Sequence, residues 1–471
     1  MKTYQDLQQN TDRPSFIMQA INEHKASEMY RIAYDAELYD RQMNVTIMSY
    51  QKLLYTVSGK AVPDNYSANH KVASNFFNRF ITQENQYLLG NGVMLENEAN
   101  KERLGDQFDV RLQRAGRNAL VGGVAFVFWN FDHIEVFKLT EFVPIYDEET
   151  GALMAGIRYW QVDSDKPMRA TLYEMDGYTD YIKRKDKPLV VQTEKRTYKQ
   201  IVRQSAADGV QIEPGDNYPG FPIIPLWGNQ HHQSEFVGLR ENIDAYDLIK
   251  SGFANDLDDC TQIYWLLKNA GGMSDTDIAQ FLDRVRTTRT AAITDGDDGA
   301  SAEPHTIEIP YASRVAYLDR LEQDMYNDFQ ALNVNSISAA AKTATEINAA
   351  YQPFDNKVDQ YEYCVLEFLE KLFALIGIDD TPTFTRNRIA NRTEEMQMLM
   401  LAAPYLDDEY ITHKACAIMG DPDAAEDILK RKDAENLDRF DGDTLLQKDT
   451  SNSVDEAAPV EDVIESAIRG E

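Results

Sequence analysis

The sequence predicts an α+β chain, predominantly helical, with its strands gathered into one block and long helices on either side. Two periodicities carry this. Before about residue 121 and after residue 234, apolar residues recur every three or four positions, the spacing of a helix with one buried stripe. Between about 122 and 205, short runs rich in Val, Phe, Tyr and Ile alternate with turn residues, as antiparallel strands do. The chain has 471 residues, 43% hydrophobic and 27% charged, enough to bury a large core in about two to four domains.

In chain order, 15–60 reads as helical, with Phe16, Ile17, Ala20 and Ile21 and then Tyr30, Ile32, Tyr34, Leu38 and Tyr39 as its apolar positions. Pro63-Asp64-Asn65 breaks the pattern. A second helix is expected from Ala68 to Leu89, ended by Gly90-Asn91-Gly92, and a third over about Lys101 to Val121. The longest apolar run, Leu120 to Trp129, reads as a buried strand. Strands follow at 124–129, 133–138, 142–146, 155–162, 170–173, 178–183 and 189–192, with Asp147 to Gly151 as a turn and Pro219-Gly220-Phe221-Pro222 as an extended link.

From Ser234 the period returns to that of a helix. Phe236, Leu239, Ile243, Tyr246, Ile249, Phe253, Leu257, Cys260, Tyr264 and Leu267 predict one helix of about 35 residues, about 50 Å long, stopped at Gly271-Gly272. A compact unit over 273–310 is expected to hold a short helix and two strands around the turn Asp295 to Gly299. A second long helix spans Ser313 to Leu332. The small, polar stretch Asn333 to Lys342 follows, and Thr343-Ala344-Thr345-Glu346 has capping-box spacing for a fresh helix. That helix contains Pro353, which should kink or locally break it, and ends at Gly377. Short helices are expected at 394–403, 408–419 and from Asp421 to Asn436. From Asp441 to Glu471 nine acidic and two basic residues read as a flexible tail.

Charge and motifs narrow the chemistry. Lys and Arg number 47 against 78 Asp and Glu, net −31, so the general surface should repel nucleic acid and anionic membranes. Cys260, Cys364 and Cys416 are scattered, without CxxC, which argues against a disulfide framework and for a reducing compartment. The polar N-terminal stretch is not a signal peptide, and no apolar run is long enough to span a bilayer. No HExxH or GxSxG exists, and Gly59-Lys60 has Leu54 and Ala61 where a P-loop needs glycine and Ser or Thr. His231-His232 reads as part of a polar loop. Asp295 to Gly299 reads as a hairpin turn, lacking the distal glutamate of a calcium loop. No metal, cofactor or catalytic residue is expected.

Four stretches, taken in order, resemble the portal proteins of tailed bacteriophages, SPP1 type. They are Asn69-His70-Lys71 through Asn75, Ile81 and Tyr87 to Val93; Glu141 to Asp147 answered by Ala155 to Tyr159; Pro222 to Asn229 followed by Ile243 to Tyr246 and Ser251; and Thr345-Glu346-Ile347 after a small-residue loop. The likeness covers about residues 10 to 440. It implies a portal-type, ring-forming fold: a wing at 1–235 with its β-rich insert at 122–205, stem helix 1 at 236–269, a clip at 270–310, stem helix 2 at 311–332, a tunnel loop at 333–343, a kinked long wing helix at 344–384, a crown at 385–440 and an acidic tail at 441–471. It further implies a non-enzymatic ring of about twelve copies at one capsid vertex. Double-stranded DNA would pass through it, packaged by the terminase and later ejected. The terminase large subunit, head-completion or adaptor proteins, major capsid and scaffolding proteins are the implied partners. No membrane is involved, and the location is the virion, with assembly in the host cytoplasm.

Within that frame particular residues stand out. Asn333, Asn335, Ser336, Ser338 and Lys342 are small or polar enough to crowd an axis, and Lys342 is the only charge between Leu332 and Glu346. It reads either as one element of a positive ring near phosphates or as a solvated residue before a helix. Arg284, Arg286 and Arg289 are the densest basic group of the clip; DNA contact, a protein partner and local charge balance all remain open for them. Asp244, Asp247, Asp256, Asp258 and Asp259 lie on or near the first stem helix and would make a bore slippery if they faced it. A head–tail adaptor ring and an acidic cytoplasmic hydrolase are the competing functions. Adaptors are usually much shorter than this chain, and no motif marks a hydrolytic cleft.

Overall fold

A computed structural model describes residues 2–55, 59–64, 68–205, 209–259, 264–268, 276, 280, 283, 301–305, 311–334, 344–386, 392–421 and 424–432. They belong to two compact units, Met1–Ser336 with Ala350–Asn387, and Ile337–Ala349 with Arg388–Glu471.

The first unit opens with helices α1 (Tyr4–Gln9), α2 (Arg13–Ala26), α3 (Glu28–Asp40) and α4 (Val45–Ser49). Each starts on a side-chain cap: Thr3, Asp12, Ser27 and Asn44 accept the N–H three residues on. Such caps contribute about 1 kcal/mol each and fix where the helices begin. The helical reading of 15–60 therefore ends at Ser49. A small hairpin, β1 (Leu53–Tyr55) with β2 (Ala61–Pro63), follows.

Helix α5 (Phe76–Leu89) begins at Asn75, later than the expected Ala68, because 69–75 are committed to another contact described below. After α6 (Glu98–Arg103) comes α7 (Phe108–Gly122), and Gly123 at φ 86° ends it in the left-handed region. A Cβ there would also lie 2.9 Å from the Gln233–Ser234 backbone, so glycine is required twice over. The apolar run Leu120 to Trp129 is thus split: its first three residues close α7 and the rest form β3 (Val124–Asn130).

The strands are antiparallel throughout. β4 (His133–Lys138) pairs with β3, β3 also pairs with β12 (Ile223–Trp227), and the three form one sheet. The link expected at Pro219 to Pro222 lies outside the strands and leads into β12, an edge strand, which tolerates Pro225. β5 (Phe142–Tyr146), β6 (Leu153–Trp160), β7 (Met168–Glu174), β8 (Gly177–Lys183) and β9 (Val190–Arg196) form a five-stranded meander, and β10 (Gln200–Ser205) pairs with β11 (Gly209–Pro214). One face of the meander meets the N-terminal helices: Leu7, Phe16, Ile17 and Ile21 pack with Val143, Ile157, Leu172 and Tyr181. Phe126, Phe128, Phe137, Phe142 and Tyr173 fill a second, aromatic cluster.

Helix α8 (Arg240–Asp259) is 20 residues long, shorter than the helix expected over 236–269. Tyr264 to Lys268 instead form strand β13, paired with β14 (Ser301–His305). A run of four apolar residues suits a strand as well as a helix, so periodicity alone could not separate the two. α9 (Tyr311–Phe329) packs on α8. The long helix α10 (Ala344–Ile376) runs on through Pro353, where a kink or a local break was expected, without a break. Tyr351, Phe354, Val358 and Tyr361, all buried, hold it on both sides of the missing N–H. Beyond its end, Arg386 is pinned to the carboxylates of Asp355, Asp359 and Glu362 on the same helix.

In the second unit, α11 (Arg392–Ala402) and α12 (Asp408–Met419) pack on one another, and 424–432 are helical. α12 is capped by Asp407 and ends at Gly420 with φ 91°. The tail over 441–471 lies outside the described residues.

Gly116 on α7 leaves no room for a side chain. A Cβ there would meet Tyr361 Oη at 2.0 Å and Asn85 Oδ1 at 2.6 Å. Gly116→Ala should destabilise the protein by roughly 2–3 kcal/mol through overpacking, read as a lower urea midpoint at unchanged slope.

Candidate functional site

Five acids on or near α8 would make a bore slippery if they faced it, and the structure gives several of them partners within the protomer. The backbone of 70–74 runs antiparallel along the helix. The N–H groups of His70, Val72 and Ser74 donate to Asn255 Oδ1, Ser251 Oγ and Asp247 Oδ1 at 2.6, 3.0 and 2.9 Å. Two residues of an extended chain advance about 6.6 Å and four residues of a helix advance 6.0 Å, so every second N–H meets every fourth side chain. The segment is a strap, hydrogen-bonded to a helix as a strand would be to a sheet.

The predicted acids divide accordingly. Asp247 is fully buried; its other oxygen accepts from Asn44 Nδ2 at 2.8 Å, and burial pushes its carboxyl up from the usual range. Its carboxylate is enclosed in the protomer, so Asp247 is withdrawn from the lumen set. Asp244 binds the Tyr39 hydroxyl and accepts from Thr46 Oγ1 at 2.8 Å. Asp256 is paired with Arg314 on α9, and Asp258 with the His70 ring. Asp256 and Asp258 remain partly or largely open to solvent, with side-chain exposures of 38% and 57%. Asp259 closes α8, and its side chain lies outside the described residues, as do Arg284, Arg286, Arg289, Asn335, Ser336, Ser338 and Lys342. Asn333 is described and half-buried just beyond α9. His231 and His232 sit in the loop after Trp227, the His232 ring stacked 3.9 Å from the indole.

A cluster that sequence reasoning missed lies beneath α5. Lys357 on α10 reaches Glu235 and, at 3.9 Å, Glu84, which is 1% exposed. Glu84 Oε2 has no hydrogen-bond partner, and full desolvation pushes its carboxyl up to about 8 against the pull of Lys357. Burial alone would lower the Lys357 ammonium, but the two carboxylates more than reverse that. The ammonium also lies 3.6 Å over the Phe329 ring at the end of α9. One lysine thus ties α5, α9, α10 and the loop before α8. A clue in the sequence was Glu84 amid Phe80, Ile81, Tyr87 and Leu88, a charge inside an otherwise apolar stripe.

Among the described residues these carboxylates are engaged by backbone N–H groups, by lysine and by arginine, and they tie the long helices into one frame. The chain belongs to the phage portal protein family, SPP1 Gp6-like, which it matches over residues 19–437. Among its relatives are the portal protein of Bacillus phage SPP1, 24% identical over 449 residues with 86% of this chain and 85% of the relative covered, and that of Clostridium phage phiCD119, 25% identical over 365 residues with 70% and 77% covered. Among solved structures, the neck of an empty gene transfer agent particle with C6 symmetry aligns at TM-score 0.42 and 9% identity, covering 74% of this chain and 90% of that one. The neck of the native particle with C12 symmetry aligns at TM-score 0.39 and 9% identity, covering 74% and 90%. The function is that of a phage portal, a structural component of the virion.

Two outcomes follow. Asp247→Ala leaves the Ser74 N–H and the Asn44 amide buried without an acceptor and should cost roughly 2–3 kcal/mol in urea unfolding. Glu84 holds its proton in the folded state up to about pH 8, whereas in the unfolded chain it loses it near 4.5. Its contribution is present below the unfolded value and is lost as pH rises towards about 8. Glu84→Gln should therefore gain stability over wild type between about pH 5 and about pH 9, by on the order of 3 kcal/mol.

Proposed function

We propose that this chain assembles head to tail into a closed ring of about twelve copies at one capsid vertex, and that double-stranded DNA passes along the ring axis. The observation that carries this is the family match over 19–437, joined to a frame of long helices, β-rich insert and small-residue link in the expected order. Packaging would be driven by the terminase large subunit docking on the clip, within 270–310. Head-completion proteins would follow at the same end, the particle's major capsid and scaffolding proteins would surround the wing, and the genome would leave by the same bore. Hydrolysis of ATP would belong to the terminase. Assembly would take place in the host cytoplasm.

The regional assignment follows the helices as found. The wing comprises 1–235 with α10; α8 and α9 are the stem; 333–343 is the segment nearest the axis; the crown spans 385–440. Lys342 would supply one positive charge per copy near the phosphates, a weak contact blind to sequence. The acidic wall is reassigned with Asp247 removed. On the α8–α9 pair, Glu241, Asp258 and Asp319 are exposed, and Asp256 is half-buried. A ring of twelve copies would carry about −370 formal charges, a repulsive collar that lets DNA slide.

Negative-stain electron microscopy of the purified protein tests the assembly. Rings with a central channel are expected. A uniformly monomeric preparation at the concentrations reached in assembly would overturn the proposal.

A further inference from the structure

The chain leaves α9 under unusual control. Gln330 sits at φ 60°, a left-handed conformation that costs a non-glycine residue about 1 kcal/mol. Ala331 N–H returns to Tyr326 O at 2.9 Å and Gln330 N–H to Asn327 O at 3.1 Å, closing the helix. The next residue, Leu332, is held by both its backbone groups. Its N–H donates to Gln83 Oε1 at 3.2 Å, and Gln83 Nε2 donates to its carbonyl at 3.0 Å. A side-chain amide thus reproduces the edge of a β-strand for one residue, 249 positions away in sequence.

Gln83 stands on the α5 face that also carries Phe76, Arg79 and Phe80. Phe80 stacks on Phe329 at 4.9 Å, and Arg79 donates to the Tyr326 hydroxyl at 2.7 Å. Leu332 is buried, and together with Gln83, Phe80 and Tyr326 it borders an open cavity of about 340 Å³. Beside that space the two hydrogen bonds fix its position along the chain.

Resting on the assignment of 333–343 to the bore, we infer that Gln83 is a positioning residue for the DNA channel: it fixes the root from which that segment reaches the axis. An eleven-residue segment spans at most about 40 Å, so a displaced root changes which residues arrive at the centre. With a ring of copies converging on one axis, such an error is repeated in every subunit. The donor–acceptor edge of a glutamine suits this role because it engages both backbone groups of one residue and so fixes register, which an apolar contact does not.

The test uses the full chain carrying Gln83→Met, which keeps the length of the side chain and removes both bonds, and Gln83→Glu, which keeps only the acceptor. Three quantities are read: ring formation by microscopy, exchange of the Leu332 amide by mass spectrometry, and DNA retained in procapsids carrying each variant. For Gln83→Met the expected result is normal rings with an unchanged melting temperature, Leu332 exchange faster by about tenfold, and a loss of retained DNA. Gln83→Glu should protect the amide better than Gln83→Met, since the acceptor remains. Unchanged exchange in Gln83→Met overturns the clamp. Faster exchange with wild-type DNA retention overturns the positioning role and leaves a local contact. Should Gln83→Met fail to fold, Gln83→Glu decides by the same readouts: wild-type DNA retention with a changed Leu332 exchange overturns the role. Should the wild type form no ring, it is the portal assembly that fails, while the exchange measurement still judges the clamp.

Discussion

Helix Phe76–Leu89 is the piece against which the rest of the first unit is assembled. Nine of its residues are buried, and they face in several directions. Phe76 meets Tyr246 of α8, Phe77 meets Phe236, Phe80 meets Tyr326 and Phe329 of α9, and Tyr87 meets Tyr351 and Phe354 of α10. Arg79, Thr82 and Gln86 of this helix stay exposed, but Glu84 and Asn85 are buried with the apolar residues. Asn85 donates to Gln113 O of α7 at 3.0 Å and accepts from Tyr361, and Glu84 is left with Lys357. Desolvating a carboxyl costs several kcal/mol, and removing one partner of such a group costs more than the group contributes. The central helix is therefore sensitive at its polar positions and permits one arrangement of its neighbours.

Much of this frame was legible in the sequence, and the misreadings share a cause. Strands 133–138 and 142–146 came out at their observed bounds because alternation and turn residues agree there. The end of α7 near Val121 and the strand from Val124 also came out to within a residue, since Gly122-Gly123 divides the apolar run. Tyr264 to Leu267 was read as helix because a short apolar run carries no period of its own. For the acids of α8 the sequence left open whether they face a bore, since a polar face that binds backbone has the same composition as one that binds water. Only the spacing of Asp247, Ser251 and Asn255, four residues apart beside the non-helical 69–75, distinguished the two. Glu84 was overlooked because its partners, Glu235 and Lys357, lie far away in sequence. The tunnel-loop residues beyond Asn333 and the clip arginines stay where the sequence left them, outside the described residues.

Net −31 first argues against any dealing with DNA. It is consistent with a conduit, because a wall that repels phosphate at the range of the Debye length, about 8 Å in physiological salt, lets a charged polymer move without adhering. The structure narrows which acids are free to do this. Asp247, whose carboxylate binds the strap backbone, is enclosed in the protomer, while Asp256, Asp258, Glu241 and Asp319 keep some contact with solvent. In the proposed ring, stability and conduction would thus rest largely on different carboxylates of the same helix pair.

The account turns on which segment forms the narrowest part of the channel. A reconstruction of the assembled ring, at a resolution that traces the backbone, decides this. Residues 333–343 of every copy should line the constriction, each descending from a Leu332 still bonded to Gln83. A constriction lined by any other part of the chain, with 333–343 directed away from the axis, would contradict the account.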